Sequence, residues 1–126
     1  MTERNRGGFR ILVVDDDEAV RESTADILQM GGYAVTQSAD ADDALGQLAA
    51  GDVHLLILDL GLSTHRGREP SRMGLDLLDR VGELPPAILV SGSGLQPMAD
   101  PRVGVFLPKP FAPRRLLDEV ERLLSQ

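Results

Sequence analysis

Asp15, Asp16, Asp59, Ser91 and Lys109 each stand at the end of a short apolar run. Ile11–Val14 leads into Asp15-Asp16, Val53–Leu58 into Asp59, Ala87–Val90 into Ser91, and Val103–Pro108 into Lys109. As neighbouring parallel strands, these runs would finish on one edge of one sheet. Three carboxylates, a hydroxyl and an ammonium would then share a crevice of the kind in which open α/β sheets bind ligands.

The types of these residues suggest phosphoryl chemistry. Two adjacent acids after an aliphatic strand are costly to bury unpaired. A hard cation such as Mg²⁺, which takes one or two carboxylates and keeps its waters, answers that cost. An N-cap or a solvated strand end answers it too, and the pair alone fits both readings. Asp59 alone would read as a turn former. Beside Asp15 and Asp16 it becomes a third carboxylate, with an oxygen available as a nucleophile of the aspartyl-phosphate type. A transferred phosphoryl group spreads charge over its equatorial oxygens, so neutralisation and positioning do most of the catalysis. Mg²⁺, Lys109 and the Ser91 hydroxyl could each take one of those oxygens. Taken singly, Ser91 is a strand-end turn residue and Lys109 a solvated loop lysine, although Pro108 and Pro110 on either side of Lys109 favour a fixed backbone.

The elements that must position these groups alternate regularly. Phe9–Val14 is apolar without alternation, as a strand covered on both faces should be. Val20, Thr24, Ile27 and Leu28 follow at helical spacing, with Asp17 and Glu18 opening the helix and Gly31-Gly32 stopping it. Tyr33–Thr36 is a short, more polar strand suited to a sheet edge. Asp40 is an N-cap candidate for a helix carrying Ala44, Leu45 and Leu48 and ending at Gly51. Val53–Leu58 is the strongest central strand. Leu75, Leu78 and Val81 mark a third helix, and Ala87–Val90 and Val103–Leu107 the last two strands. Pro113, Leu116, Leu117, Val120, Leu123 and Leu124 give a final amphipathic helix. The pattern predicts an α/β domain, (βα)5, with a five-stranded parallel sheet, doubly wound by right-handed crossovers. Residues 1–8 read as a flexible N-terminus and 9–126 as the domain.

Bulk properties bound the rest. At 126 residues the chain holds one domain with a real core, built almost wholly from aliphatic side chains because aromatics are 3%. With no cysteine it has neither a disulfide nor thiolate chemistry. A net charge of −7 argues against direct binding to nucleic acid backbones. No run approaches a membrane span and no signal peptide is evident, so a cytoplasmic protein off the membrane is expected. There is no Gly-x-Gly-x-x-Gly after the first strand and no Walker-type loop.

With these motifs in order, the chain resembles the receiver domains of two-component response regulators. The stretches that carry the resemblance are Ile11-Leu12-Val13-Val14-Asp15-Asp16-Asp17, Leu55-Leu56-Ile57-Leu58-Asp59-Leu60, Ile88-Leu89-Val90-Ser91-Gly92 and Phe106-Leu107-Pro108-Lys109-Pro110-Phe111. The resemblance implies a flavodoxin-like strand order 2-1-3-4-5. It implies Asp59 as phosphoacceptor, and Mg²⁺ held by Asp15, Asp16, Asp59 and the backbone carbonyl of Gly61. It implies Ser91 as switch hydroxyl, Phe106 as switch aromatic and Lys109 as the phosphate-contacting lysine. The implied partner is a sensor histidine kinase or a histidine phosphotransfer protein, with a homodimer or an effector domain as further partners. Such a protein is a phosphorylated switch in signal transduction. It is an enzyme only toward its own aspartyl phosphate.

Two connections depart from the family pattern. Gly74 comes 15 positions after Asp59, which leaves a long loop after the third strand with His65, Arg66, Arg68 and Arg72 in the insert Ser63–Arg72. An arginine there could visit the phosphorylated pocket or dock the donor kinase; a plain surface insertion is the alternative. Gly92–Arg102 holds Pro97 and Pro101, so the fourth helix is expected to be shortened or irregular. Two other functions compete: a receiver-like docking or dimerisation module with an atypical output face, and a small Asp-nucleophile phosphatase. The phosphatase would want an acid two positions after Asp59, where Gly61 stands.

Overall fold

The computed structural model describes residues 8–59, 85–91, 103–108 and 111–125, with backbone alone for Ala41, Ser91 and 103–106. The five predicted strands are present as β1 (Arg10–Val14), β2 (Ala34–Ser38), β3 (Leu55–Asp59), β4 (Ala87–Ser91) and β5 (Val103–Pro108). They form one parallel sheet in the order β2-β1-β3-β4-β5. The described helices are α1 (Glu18–Met30), α2 (Ala41–Ala49) and α3 (Pro113–Leu124). The third helix expected around Leu75–Val81, the insert Ser63–Arg72, the Gly92–Arg102 connection and the first seven residues lie outside the described residues.

Strands buried on both faces explain the unalternating apolar runs. Ile11, Val13, Leu55, Ile57, Ile88 and Val90 point to one face, where Leu28 of α1 and Leu116, Val120 and Leu123 of α3 cover them. Leu12, Val14, Leu56, Leu58 and Leu89 point to the other, under Ala44, Leu45 and Leu48 of α2. Full burial of a Leu or Ile stabilises by about 1.5–3 kcal/mol, so this two-layer core is the main driving force for the fold.

Helix boundaries follow from capping. The Asp17 carboxylate accepts from Val20 N–H at 3.1 Å, and the Asp40 carboxylate accepts from Asp43 N–H at 2.8 Å. α1 ends in a Schellman motif. Gly32 N–H donates to Gln29 O at 3.0 Å and Tyr33 N–H to Leu28 O at 3.2 Å, with Gly32 at φ 98°. Tyr33 therefore closes the helix and packs into the core with Leu28. The second strand consequently starts at Ala34, one residue later than the sequence pattern suggests, and it runs on to Ser38.

β2 is an edge strand, as its polarity predicts. Its open side is tied down by α2, because Gln47 Nε2 donates to Gln37 O at 3.2 Å and to Asp43 Oδ2 at 3.0 Å. Thr36 Oγ1 is buried on this strand with no partner among the described residues. At the other edge, the β4–β5 register shifts between Ala87↔Val103 and Ile88↔Val105, leaving Gly104 as the extra residue. Glycine suits such a bulge.

Candidate functional site

The strand register brings the chemistry-bearing residues to one edge. Val14 pairs with Leu58, and each is followed directly by an aspartate. Asp59 pairs with Val90, which Ser91 follows, and Ser91 pairs with Pro108, the residue before Lys109. Asp59 and Ser91 are the last residues of their strands rather than the first of the loops, so the sheet itself fixes their backbones. Phe106 lies in β5 opposite Leu89. The Ser91 and Phe106 side chains, and all of Gly61 and Lys109, lie outside the described residues.

Asp15, Asp16 and Asp59 come together. Each offers a carboxylate oxygen, and these oxygens all lie within 4.8 Å of one another. Asp15 and Asp59 are buried, at 4% and 8% exposure, whereas Asp16 faces solvent. At that separation two carboxylates repel by about 3 kcal/mol at an effective dielectric constant of ~20. The donor set is all oxygen and carries three formal negative charges. It suits a hard divalent cation, not zinc or a soft metal.

The loop that presents the pair is held at several points. Asp15 N–H donates to Ser38 O at 3.1 Å, tying the end of β1 to the end of β2. Asp15 Oδ1 accepts from Asp17 N–H at 2.9 Å. The Arg21 guanidinium, one turn into α1, donates from Nη1 to Asp15 O at 2.9 Å and from Nε to Gln37 Oε1 at 3.2 Å. Asp17 in turn caps α1. Of the three consecutive aspartates, the first and third thus shape the loop, and the second projects from it.

Sequence reasoning finds the three carboxylates but misses Arg21. At helical spacing a lone arginine between apolar positions looks like part of a solvated face. Only the turn between β1 and α1 brings it back over the carbonyl six residues earlier.

Known proteins resemble this chain along nearly its whole length. Residues 11–121 match the response regulator receiver domain family. The chain is 38% identical to response regulator MprA of Mycobacterium tuberculosis over 121 residues, covering 93% of this chain and 51% of that protein. It is 36% identical to MprA of Mycobacterium avium, covering 94% and 52%. The chain therefore spans about half the length of these curated relatives. Among solved structures, the receiver domain of NtrX from Brucella abortus superposes with a TM-score of 0.78 at 33% identity, covering 92% of this chain and 98% of that one. A CheY-like receiver domain protein from Methanospirillum hungatei gives 0.71 at 28% identity, covering 93% and 94%. Fold, acidic cluster and family match agree: the chain belongs to the response regulator receiver domains of two-component signalling.

Proposed function

We propose that Asp59 accepts a phosphoryl group from the phosphohistidine of a sensor histidine kinase or histidine phosphotransfer protein, and that the modified domain switches conformation. The observation that carries this reading is the buried Asp59 carboxylate within 4.8 Å of those of Asp15 and Asp16, at the ends of adjacent strands. In the transfer, an Asp59 carboxylate oxygen attacks phosphorus in line as the P–N bond to the imidazole breaks. The bonding electron pair leaves on that ring nitrogen. Asp15, Asp16 and Asp59, with the Gly61 carbonyl, are the residues to hold Mg²⁺. The bound ion would offset carboxylate repulsion and share the negative charge of the phosphoryl oxygens.

Lys109 is assigned to a phosphoryl oxygen. Ser91 is the hydroxyl that closes on the new group, and Phe106 the aromatic that repacks behind it. The chain then acts on its own aspartate and turns over no other substrate. Among the described residues, no helix is long and apolar enough to cross a membrane. A cytoplasmic setting, where kinases meet their receivers, fits this reading. The share of the curated relatives beyond this chain leaves room for an effector domain as the output, and a homodimer is a second route.

The test is incubation with labelled acetyl phosphate. One acid-stable, base-labile label per chain is expected, absent in Asp59→Ala and absent when EDTA removes the metal. An unlabelled wild-type chain with intact helicity would instead favour a docking module. Continuous release of phosphate from a phosphomonoester would favour a phosphatase.

A further inference from the structure

We infer that Arg21 is a positioning residue of the acidic pocket, and that Gln37 on the edge strand is its second anchor. The inference rests on the reading of Asp15, Asp16 and Asp59 as a metal site.

Three features of Asp15 are fixed separately. Its N–H bonds to Ser38 O, and its Oδ1 accepts from Asp17 N–H. Its carbonyl would project from the end of β1 toward α1, and there the Arg21 Nη1 meets it at 2.9 Å. The same guanidinium reaches Gln37 Oε1 from Nε at 3.2 Å. Gln37 is itself held, because its carbonyl accepts from Gln47 of α2. The peptide that joins the two metal-binding aspartates is thus clamped by a side chain of α1 braced against β2. A planar guanidinium has the fork geometry to serve two acceptors at once, and little of its freedom is lost per bond made. Ligands of a small octahedral cation tolerate only a few tenths of an ångström of drift. Groups that orient ligands without touching the metal commonly change its affinity by 10-fold or more.

Charge and position predict opposite signs. Arg21 is a cation close to a cluster that attracts cations, so deleting its charge alone would tighten Mg²⁺ binding. Loosening the Asp15-Asp16 peptide would weaken it. Arg21 is half-buried, so its charge is only partly screened and the two effects compete directly. On this inference the positional effect, commonly about 10-fold or more for a group that orients a ligand, is the larger.

The experiment is calorimetric titration of the 126-residue chain with Mg²⁺, for wild type, Arg21→Met, Arg21→Lys, Gln37→Ala and the double variant Arg21→Met/Gln37→Ala, with Asp15→Asn as control. Arg21→Met should raise the Kd about 10-fold. Arg21→Lys should restore part of the loss, because it keeps one bond to the Asp15 carbonyl, although it also keeps the repelling charge and cannot span both acceptors. Gln37→Ala leaves α1 intact and should raise the Kd about threefold. The double variant should match Arg21→Met, since Gln37 acts only through Arg21. An unchanged or lower Kd in Arg21→Met overturns the inference. So does complete rescue by lysine, or an effect of Gln37→Ala that adds in full to that of Arg21→Met. Failure of the underlying reading looks different: wild type then binds no Mg²⁺, or binds it as well as Asp15→Asn does, and the positioning role falls with it.

Discussion

Where the strands start, Arg10 N–H donates to His54 Nδ1 at 3.0 Å, His54 N–H donates to Arg10 O at 2.8 Å, and Phe9 stands edge-on to the imidazole with centroids 5.5 Å apart. Where they finish, Asp15 is bonded through its N–H, carbonyl and carboxylate, but the bonds hold three acids close together. Both ends join β1 to its neighbours with side chains that reach backbone groups. At the first end the contacts are neutral or aromatic and each one stabilises. At the second, the same kind of scaffolding supports three acids within repelling distance of one another, a cost that a bound cation would offset. A receiver domain can thus keep its stability at one end of the sheet and its responsiveness at the other.

That contrast is sharpest in metal dependence. Free Mg²⁺ at 100 times its Kd should raise unfolding free energy by about 2.7 kcal/mol, measured by urea denaturation with and without the ion. Asp15→Asn should abolish this shift. If Asp15→Asn keeps it in full, the acidic end is not a linked binding site and the contrast fails. His54→Ala should lower stability by about 1 kcal/mol, through the lost acceptor for Arg10 N–H and the lost ring contact, and leave the Mg²⁺-induced increment as it was. A changed increment would mean that the two ends are coupled through the sheet.

A smaller effect concerns the core between the ends. Thr36→Val replaces a buried hydroxyl lacking a partner among the described residues with a methyl of similar shape. It should stabilise by about 0.5–1 kcal/mol in the same denaturation experiment. The smallest lies on the surface of α3. The Arg122 guanidinium bonded to Glu119, aided by Arg115, holds that carboxyl below its ordinary value of 4.5, against a smaller opposing effect of burial. A lowered folded-state value means stability that is present above 4.5 and lost as pH falls through the folded value. Glu119→Gln should flatten the acid limb of the stability–pH curve below 4.5 and leave the neutral region nearly unchanged.

The strands were legible because burial on both faces leaves runs such as Leu55–Leu58 without a polar interruption. The caps at Asp40 and Gly31-Gly32 were legible because these residue types have few other uses at such places, whereas Asp17, which reads as opening the helix, is its N-cap. The acidic cluster followed from strand ends alone, once the sheet was taken as parallel. What stayed hidden needed distance information. Tyr33 reads as the start of a strand until the helix end claims its N–H. His54 reads as an ordinary strand-entry residue until β3 lies beside β1 and its ring meets Arg10 N–H. Arg21 is six residues from the carbonyl it holds, and no periodicity marks that bond.

One side-chain bond at the margin of the sheet bears on how copies of this domain can meet. Ala34 and Ser38 turn their peptide groups inward to β1, so the intervening Val35 and Gln37 present theirs outward. The Gln37 carbonyl is taken by Gln47 from the chain's own helix. A foreign strand adding to that border would have to displace an internal donor to continue the ladder. Association by strand addition is disfavoured there.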